Sequence, residues 1–322
     1  MPNLVFMGTP DFAKISLERI IDAGYEVSAV VTNTDKQKGR GMKFIPSPVK
    51  EYALEKKIKV LQPQKLKENN EFYNEIKNLN PDLIVVVAYG KILPKQILDI
   101  PKLGCINLHG SLLPKYRGAA PVQWAVLNGD KITGVTTMYM DETMDTGDMI
   151  LKQEVKIDDN ETMGELWNRL ADIGADKLVE TIKLIYENKA PRIKQTGEAS
   201  IAPMLDKQMS KIDWNKLNAN QIKNLVRGLN PIMGAYCFWR GKKVKLWKVD
   251  VIKGIEGINL NEKEIDSKPY GTIVFVDKKR GLYIKCIDGF LSVLEIQAEN
   301  SKKMSISNFL NGNKIELFET FM

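Results

Sequence analysis

The first half of the chain alternates short apolar runs with segments of helical period, and this alternation constrains the fold most. Residues 4–7, 27–31 and 58–60 are predicted strands, and the run Leu83–Ala88 is apolar at every position. A strand that is apolar on both faces lies in the middle of a parallel sheet covered by helices. The pattern therefore predicts a doubly wound α/β domain.

The turn after the first predicted strand argues against a dinucleotide site, which such a Rossmann-like domain invites. It reads Gly8-Thr9-Pro10-Asp11 and lacks the GxGxxG spacing, and the sequence contains no GxxxxGK[ST] motif either. We interpret Gly8 as a tight strand-to-helix turn. Thr9 is then the expected N-cap and Pro10 the expected first residue of a helix that ends at Gly24.

The second half changes to strand-like runs that follow a short helix over 219–227. Turn residues separate these runs, which predicts a small OB-like β-barrel. A helix over 163–186 closes the first part, so we expect a catalytic domain over 1–190, a linker over 191–206 and the barrel over 207–322. The five predicted strands of the barrel are 235–239, 243–247, 271–276, 282–286 and 290–296.

The net charge of +7 is confined to the last third of the chain. Residues 1–205 contain 27 Lys and Arg against 27 Asp and Glu, whereas residues 206–322 contain 20 against 13. A neutral first part joined to a basic second part suggests that the second part binds a polyanion. A lysine-rich composition common to the whole genome is the alternative explanation.

Cysteine and histidine counts exclude several classes of site. The three cysteines are widely spaced, which excludes a disulfide framework or a CxxC zinc site and fits a reducing cytoplasm. His109 is the single histidine, so a histidine-based metal cluster is impossible and no metal is expected. The apolar runs are far shorter than the roughly 20 residues that cross a bilayer, and no secretory signal is visible. We therefore expect a cytoplasmic protein that does not bind membranes.

Residues 33–48 form a predicted loop without hydrophobic period. The loop carries Lys38, Arg40 and Lys43, with a glycine on either side of the arginine. Loops of this length in compact domains are usually functional or disordered. Contact with an anionic partner and a merely solvated basic surface are equally open explanations.

Residues 104–150 contain the candidate catalytic side chains. Period 2 places Asn107 and His109 on one face at the end of a predicted strand, where α/β sheets place their sites. An amide and an imidazole can donate hydrogen bonds to an oxyanion, and the acidic loop 141–148 can orient the imidazole. Ser111 is a possible nucleophile, but direct transfer between two bound substrates fits these residues better than covalent catalysis.

Three motifs in this stretch resemble the folate-dependent formyltransferase family. The resemblance extends along the whole chain, and the basic loop and second domain mark the branch that acts on transfer RNA. The three motifs are Asn107-Leu108-His109, then Ser111-Leu112-Leu113-Pro114 with Arg117-Gly118 and Pro121, and Met144-Asp145-Thr146-Gly147-Asp148.

The resemblance implies transfer of a formyl group from 10-formyltetrahydrofolate, as co-substrate, to the α-amino group of methionine on initiator transfer RNA. It implies catalytic roles for Asn107, His109 and Asp145, and a monomer. An ordinary strand end remains the alternative for residues 86–90. The implied folate contacts are Ser111, Leu112, Leu113, Pro114, Val87, Tyr89 and Gly90, and the implied transfer-RNA contacts are Lys38, Arg40 and Lys43.

Two alternatives share part of this pattern. A formyltransferase that acts on a small amine, or a formyltetrahydrofolate hydrolase, would share the core motif but would not explain the basic second domain. A catalytically inert RNA-binding relative would not explain the intact catalytic residues. The chain departs from the usual family pattern at Tyr116, Thr143 and Met233, positions that affect packing and loop shape rather than the chemical groups.

Overall fold

The computed structural model describes residues 2–38, 43–252 and 262–322, and the chain divides into two compact units. Two segments that come before position 190 in the sequence belong to the second unit. The domain boundaries at 190 and 206 remain predictions. The first unit comprises 1–122, 132–156 and 166–204, and the second comprises 123–131, 157–165 and 205–322.

The first half of the chain supplies nine strands and six helices among its described residues. The strands are β1 (Asn3–Gly8), β2 (Glu26–Val31), β3 (Lys36–Lys38), β4 (Lys43–Ile45), β5 (Lys59–Leu61), β6 (Leu83–Val87), β7 (Cys105–His109), β8 (Ile132–Tyr139) and β9 (Met149–Lys156). The helices are α1 (Asp11–Asp22), α2 (Pro48–Glu55), α3 (Asn70–Leu79), α4 (Lys95–Leu98), α5 (Pro121–Leu127) and α6 (Met163–Tyr186).

Seven of these strands form one sheet in the order β5-β2-β1-β6-β7-β8-β9. The first five run parallel, and β8 and β9 continue the sheet antiparallel. The doubly wound α/β domain is therefore confirmed, with an antiparallel edge that the sequence pattern did not predict. The strand order reverses between β1 and β6, and ligands of such sheets bind at the carboxyl ends of the strands at this reversal.

Strand β6 is buried over its whole length, as its apolar run predicts. The turn at Gly8 packs against both β6 and α1. A Cβ at Gly8 would lie 2.6 Å from the Ala13 Cβ and 2.8 Å from the Val87 carbonyl oxygen. Glycine is thus needed here for close packing of the turn, which accounts for Gly8 without a phosphate-binding role.

Two local predictions in this unit are wrong. The N-cap of α1 is Pro10 rather than Thr9, because the Thr9 hydroxyl accepts hydrogen bonds from the backbone and side-chain nitrogens of Asn33. Within residues 33–48, β3 and β4 pair as an antiparallel hairpin rather than forming a loop without strands. Phe44 on that hairpin is 67% exposed, so these polar strands lack the alternation of buried and exposed residues that identifies a strand in a sequence.

The second unit is an antiparallel sheet with short helices. Its sheet follows the order β10-β11-β14-β13-β12, and β15 pairs with β14. Every strand pair in it is antiparallel, which confirms the predicted change of architecture. The strands are β10 (Ala235–Trp239), β11 (Lys242–Ile252), β12 (Ile273–Asp277), β13 (Gly281–Cys286), β14 (Gly289–Ala298) and β15 (Met304–Ser305), and the helices are α7 (Ala219–Gly228), α8 (Glu262–Asp266) and α9 (Ile306–Gly312).

The C-terminal residues of the chain join the two edge strands of this sheet. Phe238 of β10 exchanges both backbone hydrogen bonds with Met322, at 2.6 and 2.8 Å. On the other side, the Phe321 amide donates to the Gly271 carbonyl and the Ile273 amide donates to the Glu319 carbonyl, at 2.8 and 2.7 Å. The tail therefore closes the sheet between β10 and β12, an element that the sequence pattern did not predict.

The Glu319 side chain holds this closing tail in place, and we expect it to make the stability of the second unit depend on pH. Burial alone would raise the pKa of its carboxyl, but hydrogen bonds from Arg240, the Glu316 amide and the Trp239 indole outweigh burial and hold that pKa below its usual value of 4.5. Because the folded-state pKa is lowered, the stabilisation is present above pH 4.5 and is lost as the pH falls through the folded value.

We therefore expect Glu319→Gln to lower the free energy of unfolding by about 1.5–3 kcal/mol at neutral pH, the range for hydrogen bonds to a charged group. Chemical denaturation measured between pH 7 and strongly acidic pH provides the test. The difference between the two proteins should shrink toward zero in acid. A difference that stays constant with pH would contradict a role for the ionised carboxylate.

Candidate active site

Asn107 and His109 lie at the carboxyl end of β7, on the edge of the sheet where the strand order reverses. His109 is 5% exposed, and Asn107 is half-buried. The parallel neighbour β6 and the antiparallel neighbour β8 fix the register of this strand, with Asn107 opposite Val86 and Met138. The two side chains therefore project together from the rigid centre of the sheet, as the period-2 argument predicts.

The hydrogen bonds of His109 assign different tasks to its two ring nitrogens. Nε2 lies 2.8 Å from the carbonyl oxygen of Tyr116, and because a carbonyl only accepts, Nε2 carries a proton and donates it there. Nδ1 faces Asp145, with 3.7 Å between Nδ1 and Oδ2. The contact with Tyr116 uses the main chain, so a tyrosine where the family often has tryptophan leaves this bond in place.

Asp145 has its carboxylate 13% exposed and bonded on both oxygens. The Gly118 amide donates to Oδ2 at 2.8 Å, and the Asn107 side-chain amide approaches Oδ1 at 3.4 Å. Asp145 has a φ of +56°, which short polar side chains tolerate better than most. The structure thus brings Asn107, His109 and Asp145 into one cluster, although the last two lie 36 positions apart in the sequence.

The loop that carries Asp145 packs tightly against β8. A Cβ at Gly147 would lie 1.9 Å from the Tyr139 carbonyl oxygen, a separation that no side chain can tolerate. The Tyr139 amide also donates to the Asp148 carbonyl at 2.9 Å. Glycine at 147 therefore allows the loop to pass directly beside the strand, which fixes the height of Asp145 above the sheet.

The segment Ser111–Pro114 lies beside this cluster, and its side chains are largely engaged inside the protein. Ser111 is fully buried, and its hydroxyl donates to the Lys115 carbonyl at 2.5 Å. Leu113 is fully buried and packs with Met138 and Met149. This hydrogen bond engages the Ser111 hydroxyl proton, which supports the choice of direct transfer over a serine nucleophile.

The strand end 87–90 lies on the same edge of the sheet. Val87 is fully buried and Tyr89 is 2% exposed, and burial raises the pKa of the Tyr89 hydroxyl to about 12. Ala88 and Gly90 are exposed, with φ of +45° and +77°. Val87 and Tyr89 are thus buried at this edge, and the residues on either side of Tyr89 are exposed.

The predicted basic contacts lie mostly beyond what the structure describes. Arg40 lies outside the described residues. Lys38 ends β3 and Lys43 begins β4, but only their backbone is described. Asp35, just before this hairpin, accepts hydrogen bonds from Lys50 and Gln62, which lower the pKa of its carboxyl. The base of the hairpin is thereby attached to α2 and to the residue that follows β5.

Sequence reasoning missed two residues at the cluster, Gln195 and Ser200, which lie in the predicted linker. The Gln195 amide bonds Asp145, Gly147 and Arg117, and the Ser200 hydroxyl accepts from the Tyr116 amide at 2.8 Å. The residues around Gln195 and Ser200 show no hydrophobic period. Glutamine and serine are also common residue types in an extended polar segment. The sequence therefore carries no local signal for either residue.

Comparison with known proteins gives the context for this cluster. The family model described as "Formyl transferase" matches residues 2–182, and the model described as "Formyl transferase, C-terminal domain" matches residues 204–314. The chain belongs to the formyl transferase family. A methionyl-tRNA formyltransferase of Clostridioides difficile is 52% identical over 315 residues, which cover 98% of each chain. One of Caldanaerobacter subterraneus subsp. tengcongensis is 50% identical over 314 residues, or 97% of each chain.

Solved formyl transferases share the fold at lower identity. The sugar 3N-formyl transferase WlaRD, solved in the presence of dTDP and 5-N-formyl-THF, aligns with a TM-score of 0.66 at 21% identity and covers 94% of this chain and 99% of its own. An N-formyltransferase from Helicobacter canadensis aligns with a TM-score of 0.64 at 22% identity, covering 93% and 100%. The likeness confirms the architecture of this formyl transferase.

No group of three or more His, Cys, Asp or Glu side chains among the described residues is arranged to hold a metal ion. Across the same residues, no helix combines the length and apolar character needed to cross a membrane.

Proposed function

We propose that this chain transfers the formyl group of 10-formyltetrahydrofolate to the α-amino group of methionyl initiator transfer RNA. The observation that carries the proposal is identity of about 50% to methionyl-tRNA formyltransferases over the length of both units. The sugar 3N-formyl transferase covers 94% of this chain, so the presence of a second unit does not by itself decide the substrate. Residues 206–322, which hold the whole excess of positive charge in the sequence, fit a nucleic-acid substrate.

In this proposal, Asn107 and His109 stabilise the negative charge that develops on the formyl oxygen. Attack by the amine on the formyl carbon gives a tetrahedral oxyanion, and each well-placed donor contributes about 3–4 kcal/mol. Nε2 of His109 is occupied by the Tyr116 carbonyl, so Nδ1 is the nitrogen available to the oxyanion. The Asn107 amide has two protons and makes one long contact with Asp145, which leaves a proton for the same oxygen.

In the same proposal, Asp145 accepts the proton of the attacking amine and stabilises positive charge on the His109 ring. Its carboxylate faces Nδ1 at 3.7 Å and stabilises a doubly protonated imidazole by charge attraction. The new bond joins the methionine nitrogen to the formyl carbon, and the bond from that carbon to the folate nitrogen breaks. The attacking amine loses one proton, which Asp145 accepts through a water molecule, and this proton then passes to the departing nitrogen, so that Asp145 is ionised again.

The co-substrate fits the exposed residues beside the cluster. A pterin carries a planar edge of alternating donors and acceptors, which backbone amides and carbonyls complement. The exposed residues Ala88 and Gly90 offer such groups beside the buried Val87 and Tyr89. We assign Ser111–Pro114 to the opposite wall and residues 38–43 to contact with the transfer RNA.

The remaining parts of the proposal concern the chain as a whole. The catalytic domain is assigned to 1–190, the linker to 191–206 and the transfer-RNA-binding domain to 207–322. The charge of the last domain and the fold of the first support this division. Translation initiation takes place in the cytoplasm, and we place the chain there as a monomer.

Ligand-dependent stability tests the co-substrate assignment. Saturating 10-formyltetrahydrofolate should raise the melting temperature because it binds the native state, by about 2.7 kcal/mol in stability at a hundred times Kd. NADH and ATP, at matched concentration, should leave the melting temperature unchanged, since the chain has neither phosphate-binding motif. A shift with a dinucleotide and none with the folate would overturn the assignment.

A further inference from the structure

The Gln195 side chain joins the two loops that build the catalytic cluster. Its Nε2 donates to the carbonyl oxygens of Asp145 and Gly147, at 2.8 and 2.9 Å. Its Oε1 accepts from Nε and Nη2 of Arg117, at 3.1 and 2.7 Å. Arg117 lies on the loop that follows β7, and Asp145 lies on the loop between β8 and β9. One half-buried amide therefore bridges both loops.

The chemistry of these four contacts fixes the amide in one orientation. A guanidinium only donates hydrogen bonds and a carbonyl only accepts them, so Oε1 must face Arg117 and Nε2 must face the carbonyls. Rotating the amide by half a turn would place Oε1 against two carbonyl oxygens and the amide protons against a cation. Only a neutral side chain with a donor and an acceptor at this length satisfies both loops.

The same extended segment also holds the partner of His109. The Ser200 hydroxyl accepts from the Tyr116 amide at 2.8 Å, and the carbonyl of Tyr116 accepts from Nε2 of His109. Residues 195–200 thus attach to Asp145 at one end and to the peptide that orients His109 at the other. This segment therefore contacts the backbone of Asp145 and the peptide that bonds the His109 ring.

We propose that Gln195 is a positioning residue that holds the Asp145 carboxylate beside His109 during formyl transfer. The proposal rests on the proposed function for the reaction that the cluster performs. Asp145 has a left-handed backbone, and the direction of its side chain follows from that backbone. The hydrogen bond to its carbonyl fixes the peptide on which the carboxylate is carried, while the bond to Gly147 fixes the next turn of the loop.

Two substitutions separate positioning of Asp145 from a simple contact with Arg117. Gln195→Glu keeps an acceptor for Arg117 and places an oxygen against the two carbonyls, whereas Gln195→Leu removes both contacts at similar size. We expect both variants to lower kcat by about tenfold to a hundredfold, the range for a displaced catalytic group. The KM for methionyl-tRNA and for formyltetrahydrofolate should change less than about threefold. Gln208→Glu, the same change at an exposed glutamine outside residues 195–200, is the matched control and should retain wild-type kinetics.

The single histidine supplies a readout that does not need catalysis. Every imidazole signal in an NMR spectrum of the full chain comes from His109. We expect the His109 ring signals to shift in Gln195→Glu and Gln195→Leu and to stay in place in Gln208→Glu, with melting temperatures confirming that all three fold. Wild-type kcat in Gln195→Glu, or unmoved His109 signals in both Gln195 variants, would overturn the positioning role. A wild-type protein that formylates no methionyl-tRNA would contradict the proposed function, and the NMR comparison would still decide whether Gln195 positions the cluster.

Discussion

Alanine at Asn107, His109 or Asp145 is expected to lower kcat for formyl transfer by about a hundredfold or more, since loss of one oxyanion donor costs about 10²–10³. Asn107→Ala and His109→Ala each remove a hydrogen-bond donor to the developing oxyanion. Asp145→Ala removes the charge that faces Nδ1 at 3.7 Å and the acceptor of the Gly118 amide. Steady-state kinetics with saturating methionyl-tRNA, together with melting temperatures, provide the test.

The three residues act on one charge, so their losses should not multiply. The double variant Asn107→Ala/Asp145→Ala should be about as slow as the slower single variant, as found for groups that act as a unit. Glu142→Gln is the matched control, because Glu142 lies on the same loop as Asp145 with its side chain 64% exposed. A single variant that kept more than about a tenth of wild-type activity, a loss below about 1.4 kcal/mol, would show that its assigned role is wrong.

Neutralising exposed lysines of the second unit is expected to weaken transfer-RNA binding at least about tenfold and to flatten its salt dependence. Each lost phosphate contact lowers the slope of log K against log salt by about 0.7–0.9, so four contacts account for about 3. The lysines chosen are exposed and lie in the second unit. The variant replaces Lys242, Lys278, Lys279 and Lys302 by Gln.

A control variant with the same net charge distinguishes the effect of where the lysines lie from the effect of total charge. Four exposed lysines of the first unit, replaced by Gln, lower the net charge equally and should change affinity less than about threefold. Equal effects of the two variants would show that the charge asymmetry reflects overall composition rather than a binding surface. The control lysines are Lys57, Lys65, Lys67 and Lys102.

The full chain is the right protein for this test because the second unit includes segments from the first half of the sequence. Arg227, 7% exposed, donates to the carbonyls of Asp158, Glu161 and Val126. A truncation near residue 203 would remove Arg227 and leave these carbonyls without it. Loss of RNA binding in a truncated chain would then have two explanations.

The sequence predicted those parts of the fold and site that depend on local period. The buried strand β6 follows from an unbroken apolar run, and the shared face of Asn107 and His109 follows from alternation along β7. Both signals are local because the residues concerned are neighbours in one element. The sheet then brings its carboxyl-end side chains together, as expected for parallel strands.

The sequence did not predict contacts that depend on tertiary position. Gln195 and Ser200 reach the cluster through an extended polar segment whose composition is typical of a linker. The exposed hairpin β3–β4 buries no alternating face, and Thr9 bonds Asn33 across the sheet edge instead of capping α1. In each case the residue forms its hydrogen bonds with a residue distant in sequence or with backbone groups.

Transfer of a labelled formyl group shows whether the protein catalyses the proposed reaction. The chain is incubated with 10-formyltetrahydrofolate labelled with ¹³C in the formyl group and with methionyl initiator transfer RNA, and methionine released from the RNA is analysed by mass spectrometry. We expect the label on the α-amino group of that methionine with the wild type, and about a hundredfold less in the same time with Asp145→Ala. Label that appeared as free formate, or transfer that was unchanged in Asp145→Ala, would contradict the account.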